Sequence, residues 1–335
     1  MGQGRFETDE KGVIMDNFTR KVVDTLLEWG ADLVGIAPVE RFSEAPDGHR
    51  PTDFLPECRS VLSIGLHLFQ GMADVWGEWN EPTKTITPYL FYGYGLTNWE
   101  GSRMVNRMAK LLEYRGYRTL AFMPTWISSM TKYFDQTIVT GEITAEISHR
   151  HAAVAAGIAD FGLNGLALTP EFGSMQRFNT LLASAELEPT PLYDGPPLCL
   201  PEACGNKCVR VCPTQAFSET ELQSCVIGGK KISYAAHDNI RCAYGVTGLV
   251  QETGSRADLQ IPDGPGQPLH FFASMGSEQI HPYTKAMLDN CFGLICGDFC
   301  GKCLHMCPSK KLSAKGLRDY DLSGRRALLN RDPLA

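Results

Sequence analysis

The stretch AGIADFGLNGLALTPEFGSMQRFNTLLASAELEP, Ala156 to Pro189, places Gly157, Gly162, Gly165 and Gly173 close together and then turns apolar. Small residues at that density let a backbone turn tightly or lie close against a large ligand. The runs from Gly165 to Thr169 and from Thr180 to Leu187 read as strands. Upstream, Thr144 is placed to cap a helix running through Ile147 and Ala152 to Ala156. Helix, glycine turn and strand in succession predict a mixed α/β domain.

The residues further upstream repeat that alternation. Phe18, Val22, Leu26 and Trp29 recur at helical spacing over residues 16 to 29, and Gly30 is positioned to stop the helix. Leu33 to Ile36 and Ser60 to Phe69 then read as strands. Asn98 suits the cap of a second helix, with Met104, Met108, Leu111 and Leu112 on one face and Gly116 at its end, followed by a strand from Tyr117 to Phe122. Residues 70 to 95 and 254 to 285 lack a regular period, and such stretches often form the walls or lids of sites.

Composition narrows the class. The 335 residues carry 31 basic and 38 acidic side chains, a net charge of −7, which gives no reason to expect nucleic acid or an anionic membrane as a partner. No apolar run reaches the length of about 18 residues that a membrane span needs. The polar first residues, MGQGRFETDEKGVIMDNF, lack the apolar middle of an export signal, so a cytoplasmic location is expected. Neither a Walker A loop nor a G-x-G-x-x-G turn is present to hold a nucleotide.

The cysteines are the anomaly. Of twelve, only Cys58 precedes residue 199, and the other eleven fall between Cys199 and Cys307. In a reducing compartment, clustered thiols point to metal ligation rather than disulfides. Cys199, Cys204, Cys208 and Cys212 end on Pro213, and Cys300, Cys303 and Cys307 end on Pro308. Two runs closing on Cys-Pro are the pattern of a two-cluster [4Fe-4S] ferredoxin, in which the last cysteine of each run crosses to the other cluster. Structural zinc, the competing reading, accounts for neither the three-thiol wraps nor the paired endings. Crossing over assigns Cys199, Cys204, Cys208 and Cys307 to one cluster. Cys212, Cys300 and Cys303 go to the other, with a fourth thiol from Cys225, Cys242, Cys291 or Cys296. The first run is wider than the usual ferredoxin loop, with four and then three intervening residues.

The segment from Ala156 to Pro189 resembles the one that precedes the clusters in epoxyqueuosine reductases and respiratory reductive dehalogenases. Those families carry an AGLG-x-x-G-x-N-(G/T)-L-L-I-(T/S)-PE-(Y/F)-G stretch and an L-x-L-x-P ending. Gly157, Gly162, Asn164, Gly165, Leu166, Thr169, Pro170, Glu171 and Gly173 fall in register. GGKKISYAAHDNIRCAY, Gly228 to Tyr244, is similar to the dehalogenase phrase before the fifth ligand cysteine, which implies Cys242 as the eighth ligand. The resemblance implies a nitroreductase-like α/β body that binds cobalamin over residues 1–195, a ferredoxin-like module with two [4Fe-4S] clusters over 196–310, and a tail over 311–335 packing on the body. Gly162, Asn164, Gly165, Phe172 and Gly173 match the segment beside the corrinoid's nucleotide tail.

The same resemblance implies a reductase that passes electrons from an external ferredoxin- or flavodoxin-type donor through the clusters to the corrinoid, and cleaves a small organic substrate. Carbon–halogen and carbon–oxygen bonds are the expected targets. Dehalogenases use a tyrosine proton donor ahead of a helix ending in a Leu-Gly-Tyr-like phrase; Arg115-Gly116-Tyr117 matches that phrase and makes Tyr92 and Tyr94 the candidates. Epoxyqueuosine chemistry fits less well. Glu142-Ile143-Thr144-Ala145-Glu146 stands where those enzymes have V-D-S-A-P, and no D-Y-H phrase lies near Leu96-Thr97-Asn98. A second function class is an electron-transfer or activation protein that reduces a partner through its clusters.

Overall fold

The computed structural model describes residues 7–8, 14–69, 71–72, 87–124, 146–239, 241–242, 291–292, 295–296 and 301–309. Helix α1 (Asn17–Glu28) starts where the Asp16 carboxylate accepts hydrogen bonds from the Phe18 and Thr19 amides at 2.7 and 2.9 Å. It buries Val22 and Leu26 as the spacing predicts, and stops at Trp29, just before Gly30. Strands β1 (Leu33–Pro38), β2 (Ser60–His67), β3 (Thr119–Ala121) and, after the short β4 (Asp160–Phe161) and β5 (Ala167–Leu168), β6 (Gln176–Ala183) follow. Four of them form one antiparallel sheet in the order β1-β2-β6-β3. Leu62 lies opposite both Ile36 and Leu181, which sets the register.

Both faces of this sheet are covered, which explains why β2 reads as a near-continuous apolar run. Ile36, Leu62, Ile64 and Leu181 meet Val22 and Leu26 of α1 and Met104, Met108 and Leu112 of α2 (Thr97–Glu113). On the other face Leu33, Val61, Phe178 and Leu182 pack against the alanines of α3 (His149–Ala155). Each fully buried Leu or Ile there contributes about 1.5–3 kcal/mol. The result is a mixed helix and sheet body.

Several boundaries differ from the sequence reading by a residue or two, as at Thr119–Ala121 within the expected 117–122, and three differences have a visible cause. Asn98 does not cap α2 but lies buried inside it, because a π-helix over Thr87–Leu96 runs straight into the helix and Leu96 is already helical. Strand β6 covers 176–183 rather than 180–187, since Gln176 is buried and donates from its side chain to the Ala167 carbonyl at 2.7 Å. Helix α3 is capped by Ser148, whose hydroxyl accepts from the His151 amide; Thr144 lies outside the described residues.

After the body come two single-turn helices, α4 (Pro201–Cys204) and α5 (Lys207–Arg210), and a long hairpin of β7 (Phe217–Ile227) with β8 (Lys230–His237). The short α6 (Lys302–His305) carries Cys303, the middle cysteine of the second run. Residues 254–285 and the tail 311–335 lie outside the described residues, as does Cys300. Among the described residues no helix is long and apolar enough to cross a membrane.

Candidate functional site

Cys199, Cys204, Cys208 and Cys307 line one cavity of about 370 Å³, together with Gly162, Asn164 and Ser309. Three come from the first cysteine run and the fourth from the second, roughly a hundred residues on. Local geometry puts the first three there. α4 and α5 are joined by Gly205 and Asn206, both in the left-handed region at φ 61° and 55°, so the chain doubles back between Cys204 and Cys208. Burial pushes the Cys208 thiol up to about 12, and its neighbours Cys307, Cys199 and Cys204 add to the shift. Burial raises Cys199 as well, partly offset by the Leu163 amide, which donates to its sulfur at 3.3 Å.

Burial and the neighbouring sulfurs thus oppose ionisation of Cys199 and Cys208, and a bound cationic group would favour their thiolates. Among the described residues no three His, Cys, Asp or Glu side chains converge closely enough to hold a single ion. The four thiols line a shared space instead, a donor set of the chemistry that an iron-sulfur cluster would use. Cys58 is separate: buried in the body, its thiol is raised to about 11, first by that burial.

Cys212 and Cys303 pack against an apolar cluster of Cys208, Val209, Phe217 and Ala235, which adjoins the thiol cavity through Cys208. The Ala216 amide donates to Cys212 Sγ at 3.3 Å, and the Asp238 amide donates to the Ala216 carbonyl at 2.8 Å. The Cys242 amide in turn donates to the Asp238 carbonyl, and Arg241 Nε donates to the Thr214 carbonyl at 2.6 Å. These bonds bring the backbone at Cys242 beside the Cys212 segment. Cys225 packs instead against the body's core, on the side of the hairpin that meets Phe161 and Ile147.

The glycine-rich segment is stitched to the second cysteine run. Asn164 Nδ2 donates to the Cys303 carbonyl at 3.4 Å, and the buried Ser174 hydroxyl donates to the Leu304 carbonyl at 2.8 Å. Of the five residues that the resemblance assigned to a corrinoid, Gly162 and Asn164 line the thiol cavity, while Gly165, Phe172 and Gly173 do not. Gly165 lies under the Tyr234 ring, its carbonyl accepting from Arg150 at 2.8 Å. Phe172 stacks on His67 with ring centroids 5.0 Å apart, and Gly173 bridges back to Thr169.

The two candidate tyrosines sit differently. Tyr92 is half exposed at the surface of the π-helix. Tyr94 is partly buried, with the Arg177 guanidinium 3.9 Å above its ring. Arg177 also donates to the Tyr89 hydroxyl at 3.2 Å, and the Tyr89 ring meets His305 of α6 edge-on at 4.5 Å. Its Nε is buried and has no partner among the described residues. The sequence reading passed over Arg177, although a charge directly before the buried run Phe178–Ala183 of QRFNTLLA was a visible signal.

No family model and no curated protein matches the chain. Solved structures do. A reductive dehalogenase whose structure is described as suggesting a mechanism for B12-dependent dehalogenation aligns at 16% identity over 98% of this chain and 38% of its own, with a TM-score of 0.53. A catabolic reductive dehalogenase in complex with 3-bromo-4-hydroxybenzoic acid aligns at 15% identity over 93% of this chain and 35% of its own, with a TM-score of 0.52. An epoxyqueuosine reductase from Streptococcus thermophilus aligns at 18% identity over 95% and 87%, with a TM-score of 0.46. The chain spans 35–39% of the length of the dehalogenase structures that it matches. Across nearly all of its length, this chain has the fold of the reductive dehalogenases.

Proposed function

We propose that this chain is an iron-sulfur, cobalamin-dependent reductase that takes electrons from an external ferredoxin- or flavodoxin-type donor and cleaves a carbon–halogen or carbon–oxygen bond in a small organic substrate. The observation that carries the reading is the meeting of Cys199, Cys204, Cys208 and Cys307 around one cavity, directly against the glycine-rich segment. Residues 1–195 form a nitroreductase-like body, 196–310 the electron-carrying module, and 311–335 a tail on the body. Cys199, Cys204, Cys208 and Cys307 hold one [4Fe-4S] cluster; Cys212, Cys242, Cys300 and Cys303 hold the other. Gly162, Asn164, Gly165, Phe172 and Gly173 form the backbone wall beside the corrinoid.

A bound corrinoid supplies a strongly reducing metal centre for bond cleavage. The chain's own part is binding, orientation and proton supply. Tyr94 is the favoured proton donor over Tyr92: it is the less exposed of the two, and Arg177 sits over its ring face. Arg177 also ties that ring, through Tyr89, to the second cysteine run. The chain acts on a small molecule in the cytoplasm and needs no nucleic acid.

Anaerobic reconstitution with iron, sulfide and cobalamin tests the reading. The expected product is brown, bleaches on reduction, and retains about one corrinoid and two clusters per chain. Protein that loads both clusters but no corrinoid sinks the cobalamin reading. If that protein instead reduces a separate corrinoid protein, it selects the electron-transfer alternative.

A further inference from the structure

Each Cys-Pro ending is followed by a hydroxyl residue: Cys212-Pro213-Thr214 and Cys307-Pro308-Ser309. In both places the hydroxyl turns back onto the sulfur two residues earlier. Ser309 Oγ lies 3.0 Å from Cys307 Sγ, and Thr214 Oγ1 lies 3.5 Å from Cys212 Sγ. Both are buried, at 7% and 2% exposure, and Ser309 lines the cavity with its cysteine. The two endings share a local frame: a single-turn helix, α5 or α6, ends two residues before each cysteine, with one αR residue between.

A cysteine that ligates iron carries no proton, so each contact then has one polarity: the hydroxyl donates and the thiolate accepts. We propose that Ser309 and Thr214 are positioning residues that set the reduction potentials of the two clusters, one each. The proposal rests on the cluster assignment above. When a cluster takes one electron from the external donor, its sulfurs gain negative charge, and a hydroxyl dipole aimed at one of them from a buried site stabilises the reduced form. Each hydroxyl therefore raises the potential of its own cluster. The two sulfurs differ in their other donors. Cys212 Sγ also receives the Ala216 amide at 3.3 Å, and its hydroxyl is the more distant, so Ser309 has the larger effect.

The test is an EPR-monitored potentiometric measurement on the full-length, anaerobically reconstituted chain, comparing wild type with S309A, S309T, T214V and T214S. S309A is expected to lower one midpoint by about tenfold in the reduction equilibrium, about 59 mV for one electron. S309T restores it. T214V lowers the other midpoint by less, and T214S restores that one. Two clusters at wild-type iron content whose midpoints ignore both S309A and T214V overturn this inference alone, as do midpoints that move together in either variant. Wild-type protein that takes up no iron overturns it along with the cluster assignment. If S309A fails to retain iron, T214V against T214S decides the question in the same way.

Discussion

Replacing Cys307 with alanine discriminates between two wirings that share the same eight thiols. In the structure Cys307 lines the cavity of Cys199, Cys204 and Cys208, while Cys303, only four residues earlier, is outside that lining and packs with Cys212 against the apolar cluster of Cys208, Val209, Phe217 and Ala235. Two [4Fe-4S] clusters correspond to about eight irons per chain, and losing one ligand of four is expected to empty one site. C307A alone should hold about four irons, and so should C199A or C303A. The doubles separate the alternatives, because two changes at one site are not additive whereas changes at independent sites are. C199A/C307A should still hold about four, and C303A/C307A about none. Iron and sulfide assays with the visible spectrum read this directly, and circular dichroism checks that the body stays folded. If the second run served a single cluster without crossing, the two doubles would exchange results, and the assignment of Cys307 would be refuted.

Tyr94→Phe is expected to lower the rate of substrate reduction by about 10²–10⁴-fold, the usual range for a lost general acid, while Tyr92→Phe leaves it near wild type; the reverse ranking would reject the assignment. Gly157 holds φ +74°, and a Cβ there would come within 1.9 Å of the Pro191 carbonyl oxygen. Gly157→Ala should therefore cost on the order of 1–3 kcal/mol from the backbone alone, read as a lower urea midpoint, and an unchanged midpoint would show that the turn relaxes freely. Burial, reinforced by the charge of Arg150, holds the His151 imidazole down to about 4 and that of His237 likewise to about 4. Both stay neutral in the folded chain while the unfolded chain protonates near 6.5, so the unfolded state binds more protons and stability falls as pH drops from about 6.5 towards 4. Urea midpoints of the metal-free protein should be lower at pH 5 than at pH 7.5, with a smaller gap in His151→Gln; equal midpoints in wild type would contradict this.

The convergence of the two cysteine runs on one cavity was legible because spacing over a dozen residues and a trailing proline carry most of the information. The sheet was legible where its residues are uniformly apolar, as in β2. It was misplaced at β6, whose first residues include Gln176, Arg177 and Asn179, polar side chains whose partners are Ala167 nine residues back and, far away in sequence, Tyr89 and Ser102. The hairpin of β7 and β8 escaped notice because most of β7 faces water and shows little apolar alternation. Its turn was a usable signal, since Gly228-Gly229 takes φ of 55° and 80°, the pattern that a two-residue hairpin loop demands. Neither the meeting of Asn164 with Cys303 nor that of Arg177 with Tyr94 could be read from spacing, because each depends on how separate segments dock.

The cavity shared by the two cysteine runs also bears on biogenesis. In the proposed wiring, three thiols emerge from the ribosome long before the fourth, so the first cluster cannot close until the chain through residue 307 has been made. A cross-link spanning about 100 residues removes roughly 4.7 kcal/mol of freedom from the unfolded chain in the loop-entropy picture. Iron insertion would then act as a late, long-range staple. Oxidative loss of that one cluster would remove the link between residues 199–208 and 307, leaving the intervening hairpin held to the body by its own packing and by the Ala235 amide's bond to the Leu163 carbonyl.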